Sequence, residues 1–203
     1  MTIDLDSTLQ GAFVAAGVLA ISLFSTTAAF ADQHEKVHEK VNVAMATIQG
    51  CADDNIVGSA LLQESAGTEG IKQVDIYMLV RGLSDGEHAV HIHETAACEP
   101  CTAAGGHHDP GPHGKTTPDA PDFNHPFHMG DLINLPVTDG VGEMRTSTNR
   151  ITLSPGRLSI FDEDGSAFII HTKKDTYCDH EEELEGGCAG GARDACGIIR
   201  RID

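Results

Sequence analysis

The stretch Val74-Asp-Ile-Tyr-Met-Leu-Val80 decides the fold class. Val74, Ile76, Met78 and Val80 fall on every second residue, the period of a strand with one face in a core. The same alternation appears upstream at Val41, Val43 and Met45, and a further apolar run, Ala167 to Ile170, ends at His171. Between these runs lie turn signals: Asp53-Asp54-Asn55, Gly67 to Gly70, Ser84-Asp85-Gly86, Asp139-Gly140 and Asp164-Gly165. No long stretch has the 3.6-residue period of a helix, although Asp32 to Lys40 has the composition of a short helical turn. Short strands at this spacing predict an all-β antiparallel sandwich or barrel. Two segments interrupt the pattern. Thr95 to Leu132 is rich in Gly, Pro and His, and Lys173 to Ala195 is rich in Glu, Gly and Cys. Loops that long inside a compact domain are usually functional.

The chain has 203 residues, with 31 Asp and Glu against 13 Lys and Arg, a formal charge of −18. That balance excludes electrostatic wrapping of nucleic acid. Apolar residues make up 40 %, enough for a core, while 12 His and 6 Cys point to metal, disulfides or both. Residues 11–24, GAFVAAGVLAISLF, form an apolar run followed by Ala29-Phe30-Ala31, which reads as a secretory signal cleaved after Ala31. Asp4 and Asp6 stand where an export signal normally carries positive charge, so an uncleaved membrane anchor is the alternative. The expected organisation is a signal at 1–31, a polar tail at 32–40 and one domain at 41–203. The mature chain keeps all six Cys and, once exported, favours disulfides and a periplasmic or secreted location with no membrane attachment.

The chemistry concentrates in His88-Ala-Val-His91-Ile-His93-Glu94. On a strand His91 and His93 point to one side and Val90 and Ile92 to the other, so the two imidazoles can meet one metal ion. A bare His-x-His is as readily a solvated edge. Here the long loop adds His107, His108, His113, His125, His128 and Asp131, and a late strand ends in His171. Imidazole suits copper and zinc, and a carboxylate among histidines suits zinc.

These residues fall in five blocks: His91-Ile-His93-Glu94, Gly105-Gly106-His107-His-Asp-Pro110, His128-Met-Gly-Asp131-Leu132, Ile170-His171 with Asp175, and Gly191-Ala-Arg193-Asp-Ala-Cys196-Gly197. In that order they resemble the copper,zinc superoxide dismutase family of the bacterial, exported type, over essentially all of residues 41–200. The resemblance implies a Greek-key β-barrel and conversion of superoxide to dioxygen and hydrogen peroxide by copper redox cycling, with zinc as the structural and tuning metal. It implies that His91, His93, His107 and His171 bind copper. His107, as bridge, would bind zinc with His113, His128 and Asp131. Asp175 would link the two sets, His107 would handle a proton, and Arg193 would dock the superoxide anion. Lys173 and Lys174 are the candidates for steering that anion against the overall charge, opposed by Glu181, Glu182, Glu183 and Glu185. Family dimers differ between branches, which leaves a homodimer open.

The chain departs from the family in places. His113 follows His107 by six residues and precedes His128 by fifteen, the second interval longer than the family's usual one. His113 is followed by Gly114, as the family often has, and His125 competes for its place. His108 replaces an apolar residue and reads as an outer-shell or surface group. Asp194 sits unexpectedly beside Arg193. His34 and His38 read as a solvated tail, and His88 and His180 have no role. For the cysteines, the resemblance implies a bond from Cys196 to the loop after His93, with Cys98 following the bacterial pattern and Cys101 the eukaryotic one; Cys98 is preferred. Cys178 and Cys188 flank the acidic run and can close it, and Cys51 is left to pair with Cys101 unless both are free thiols. A copper-only or inactive relative that carries copper remains an alternative function, as does a β-sandwich interaction module.

Overall fold

The computed structural model describes residues 41–110, 125–177 and 188–202. The readings of the 1–40 segment, of His113 and His180, of Cys178 and of the acids at 181–185 therefore lie outside the described residues. Nine strands occur among the described residues, in the order β1 (Asn42–Gly50), β2 (Val57–Ala66), β3 (Lys72–Arg81), β4 (Gly86–His88), β5 (Val90–His93), β6 (Leu135–Thr138), β7 (Val141–Thr148), β8 (Ala167–His171) and β9 (Arg193–Ile202). Among the described residues helix is limited to two single turns, Thr68–Gly70 and Cys101–Ala104. The strands form one antiparallel sheet ordered β4-β6-β7-β3-β2-β1-β9-β8-β5. Its two end strands, β4 and β5, are consecutive in the chain and separated only by Ala89, so the sheet rolls into a nearly closed barrel. The fold is all-β, and the jumps in strand order are of the Greek-key kind.

Val74, Ile76, Met78 and Val80 of β3 all point into the core at 2 % exposure or less. Each fully buried Ile or Leu contributes about 1.5–3 kcal/mol. In β1 the strand is as expected, but the face is reversed. Ala44, Ala46 and Ile48 are buried, while Val41 and Met45 are exposed. The register explains the reversal. Ala44 lies opposite Leu62 and Ala46 opposite Ala60, both core residues of β2, whereas Met45 lies opposite the exposed Leu61. Slipping by one residue would turn every side chain of β1 to the wrong side. The β6–β7 hairpin turns on Asp139 and Gly140, with φ of 51° and 71°, the left-handed pair that a two-residue hairpin requires.

Residues 149–166, which carry no period in the sequence, form a further long connection. It closes the barrel with Ile151, Leu153 and Ile160, all fully buried. Glu64 holds it in place. Its Oε2 accepts hydrogen bonds from the backbone N–H of Leu153 (2.6 Å) and Ser154 (2.9 Å), and Oε1 accepts one from Asn42 and lies 3.4 Å from Lys72 Nζ. Burial pushes this carboxyl up, but the bonds it accepts outweigh burial and hold it low.

A smaller apolar cluster is formed by Cys101, Ala104, Ala167, Ile169 and Cys196. There the structure joins Cys98 to Cys196 and Cys51 to Cys101. Cys188 is also disulfide-bonded, and no described cysteine is free.

Candidate metal centre

Strand β5 is buried on both faces. Val90 and Ile92 enter the barrel core, and His91 and His93 point away from it, 0 % and 1 % exposed, under the loop that follows. The loop lies along the free edge of β5 as a strand would. His108 donates its backbone N–H to the Ile92 carbonyl, Ile92 donates to Gly130, Gly130 to His108, and Glu94 to Gly106, all at 2.8–3.0 Å. These bonds place His107 opposite His93 and Asp131 opposite His91. Gly130 is required here: a Cβ on it would sit 2.2 Å from the Ile92 oxygen. From the other side β8 delivers His171, and β9 delivers Arg193.

Four imidazoles converge. His91, His93, His107 and His171 each bring a ring nitrogen within 4.8 Å of the others. Three of these rings are held by one nitrogen and leave the other bare. Nε2 of His91 donates to Asp175 Oδ2 at 2.9 Å, Nδ1 of His93 to the Gly105 carbonyl at 2.9 Å, and Nδ1 of His171 to the Gly191 carbonyl at 2.9 Å. Nδ1 of His91, Nε2 of His93 and Nε2 of His171 are buried with no hydrogen-bond partner. A buried polar atom without a partner costs about 1–3 kcal/mol, and three aimed into one cluster are what a metal ion would satisfy. Burial above all pushes these histidines down, to about 4 for His91, where the bond to Asp175 offsets part of it, about 2 for His93 and about 3 for His171. The rings are neutral at pH 7, the form that ligates metal.

A second cluster, His91, His107, His125 and Asp131, shares two rings with the first, and His128 lies beside it. His107 faces Asp131 within it: its Nδ1 is 2.6 Å from Asp131 Oδ1, His128 Nδ1 is 3.1 Å from Asp131 Oδ2, and His125 Nδ1 is 3.2 Å from Asp131 Oδ2 without hydrogen-bond alignment. Three imidazoles and a carboxylate form a zinc-type donor set. His125, the competing candidate in the sequence, stands beside Asp131; the reading of His113 lies outside the described residues. Burial pushes the Asp131 carboxyl up, but its contacts with His107, His125 and His128 outweigh burial and hold it far below the usual range. His125 is buried, which lowers it, yet Asp131 and Asp175 together raise it to about 9.

Asp175, 2 % exposed, joins the clusters. It accepts from His91 Nε2 on one side and from His125 Nε2, at 2.9 Å, on the other. These bonds and the Tyr177 N–H more than offset the burial that would raise its carboxyl. Two supporting residues had no signal in the sequence. Asn134 clamps the Asp175 backbone from both sides, accepting its N–H at 2.7 Å and donating to its carbonyl at 2.9 Å. Arg150 donates to the Asp131 carbonyl.

Arg193 donates Nη1 to the Cys101 carbonyl at 2.6 Å and Nη2 to the Gly105 carbonyl at 2.5 Å, the oxygen that also receives His93. Lys173 and Lys174 are exposed just past His171. His108 is 2 % exposed, a buried neighbour of the ligand loop and not a surface group. His88, unassigned in the sequence, is buried with Nδ1 2.6 Å from the His171 carbonyl and Nε2 2.9 Å from that of Ser84.

Comparison with known proteins agrees with this geometry. Residues 56–199 match the family described as copper/zinc superoxide dismutase (SODC). A Cu-Zn superoxide dismutase of Neisseria meningitidis is 38 % identical over 60 % of this chain and 64 % of its own length. One from Aquifex aeolicus is 33 % identical over 91 % of this chain and 97 % of its own, and one from Actinobacillus pleuropneumoniae is 32 % identical over 90 % and 96 %. With a nearly closed β-barrel, two histidine clusters sharing His91 and His107 and a match across most of its length, the chain belongs to the copper/zinc superoxide dismutase family, whose metals are copper and zinc.

Proposed function

We propose that the chain converts superoxide to dioxygen and hydrogen peroxide, with copper held by His91, His93, His107 and His171 and zinc by His107, His125, His128 and Asp131. The observation that carries this reading is the convergence of three buried, partnerless imidazole nitrogens on the His107 ring. Copper supplies one-electron exchange, and zinc, which has no redox chemistry, supplies charge and rigidity. The protein does the rest. Asp175, Gly105 and Gly191 fix one nitrogen of each ligand ring, which sets the orientation of the other. His107, with Nδ1 turned to Asp131, is the ring placed to hold and release a proton at Nε2. Arg193 docks the anion beside the four-histidine cluster, its guanidinium kept in place by two carbonyls. Lys173 and Lys174 provide local positive charge in a chain whose overall charge repels the substrate.

His125 takes the zinc position in preference to His113, supported by its seat between Asp131 and Asp175. The disulfides and the bacterial relatives fit a location outside the cytoplasm; residues 1–31 act as the export signal to the periplasm or beyond. Metal analysis of the purified mature protein, with a dismutation assay, tests the whole reading. One copper and one zinc per chain with activity is the expected result, and both metals without activity would overturn it. Zinc should be lost in His125→Ala and kept in His113→Ala; the reverse would move the site to His113.

A further inference from the structure

Arg193 stands in a closed circuit of bonds. Its Nη1 donates to the Cys101 carbonyl at 2.6 Å. Cys101 is tied through its sulfur to Cys51. The Cys51 backbone N–H donates at 2.7 Å to the carbonyl of Asp194, the residue next to Arg193. The circuit runs from the guanidinium through Cys101, Cys51 and Asp194 back to Arg193, and the disulfide is its one covalent crossing. Pairing of Gly50 with Ala195 and of Gln49 with Cys196 puts the end of β1 alongside this part of β9, so the frame to which Cys51 is fixed is the barrel wall itself. A different disulfide, Cys98–Cys196, holds the same loop to β9 but provides no acceptor for the guanidinium: Cys196 Sγ faces the Ala97 carbonyl.

We propose that Cys51–Cys101 is a positioning pair for Arg193: by fixing the carbonyl that aims the guanidinium, it sets how well the centre captures a small anion. The inference rests on the reading of Arg193 as the anion-docking residue. A cross-link stabilises any fold by restricting the unfolded chain. Here it also stops the Cys101 carbonyl from drifting away from the β1–β9 frame, and small displacements of a docking group are costly.

The test compares wild-type protein, Cys51→Ala/Cys101→Ala, Arg193→Lys and the triple variant. Alanine at 101 keeps the carbonyl and removes only the tether. Azide, a small anion that ligates Cu(II), is titrated against the copper- and zinc-loaded proteins through the visible copper band. Modification of Arg193 by phenylglyoxal is followed by mass spectrometry in the metal-free proteins. Loss of the tether should weaken azide binding about fivefold and speed modification of Arg193 by a similar factor, with metal content unchanged. Adding Arg193→Lys should cause little further loss of azide affinity, because the tether acts through that residue. Lowered thermal stability with unchanged azide affinity and unchanged arginine reactivity would overturn the proposal, as would fully additive losses. If Arg193→Lys alone leaves azide binding unaltered, the docking role of Arg193 fails, and the pair is judged on the phenylglyoxal rate. If the double variant does not fold, graded reduction of folded wild-type protein, with alkylation to map which disulfide opens, decides the matter. Loss of azide affinity that follows Cys51–Cys101 supports the proposal, and loss that follows Cys98–Cys196 alone overturns it.

Discussion

Strands β3 and β5 belong to one sheet and solve opposite problems. Along the core-facing half of β3, buried Val74, Ile76, Met78 and Val80 alternate with more exposed neighbours, because water covers its outer face. In β5 all four residues are buried, because the outer face lies under the ligand loop. The first region is held by area removed from water, the second by hydrogen bonds that leave chosen nitrogens bare. Stability and function are therefore separable: damage to β3 should unfold the protein without altering the chemistry of the centre, and damage around β5 should do the reverse.

The largest effect is expected in the apolar half. Ile76→Ala should cost about 2–5 kcal/mol in urea unfolding of the metal-free protein, while the copper-loaded variant keeps the spectrum of the wild type. A changed spectrum would show that the two regions are coupled. Asp175→Ala attacks the other region. Removing the carboxylate that pins His91 and His125 should weaken metal binding about 10- to 100-fold, read by chelator competition for copper and zinc separately. Loss at one metal only would mean that Asp175 serves one cluster and not both.

Acidity separates the regions next, since the side chains that β3 buries are all apolar while the centre is built of histidines and carboxylates. In chelator-stripped protein, His91, His93 and His171 stay neutral when folded but become charged on unfolding below their ordinary value of 6.5. Their stabilising contribution is whole above that pH and is lost on acidification, through about 4 for His91 and about 3 for His171. Asp131 and Asp175, also held low, add to the loss below their ordinary 3.8. His125 works in the other direction. Raised to about 9, it stabilises fully below 6.5 and is lost as pH rises through 9. The thermal midpoint of the metal-free protein should therefore peak near pH 6.5, and a flat profile from pH 7 to 10 would contradict the seat of His125. The smallest effect belongs to the outer face of the sheet: Leu61→Ser should change stability by no more than about 0.5 kcal/mol in the same unfolding assay.

The contrast between β3 and β5 also explains what could be read from the residues alone. Where one face meets water, period two is visible, and β3 was plain. In β1 both faces carry apolar residues, and only pairing with Ala60 and Leu62 of β2 chose Ala44, Ala46 and Ile48 over Met45. Residues 149–166 had no period to read, because Ile151, Leu153 and Ile160 close the barrel from an irregular segment fixed by Glu64, 89 residues from Leu153 in sequence. The ligand types were legible because few roles call for so many histidines at such spacings. The seat of His125 was not, since it depends on the path of the loop and on Asp175 reaching it from 50 positions away. Asn134 and Arg150 act through backbone groups, an activity that leaves no pattern in side-chain identity.

The edge of β5 carries one last consequence. A strand at the end of a sheet offers unpaired N–H and C=O groups to any other chain that can add to it. Here that row is covered by residues 106–108 and 130–131, the same backbone that delivers His107 and Asp131. The loop that brings in the histidines thus doubles as the guard on the sheet's open end. Loosening of this loop would uncover Val90-His-Ile-His93 as a template for strand addition between molecules.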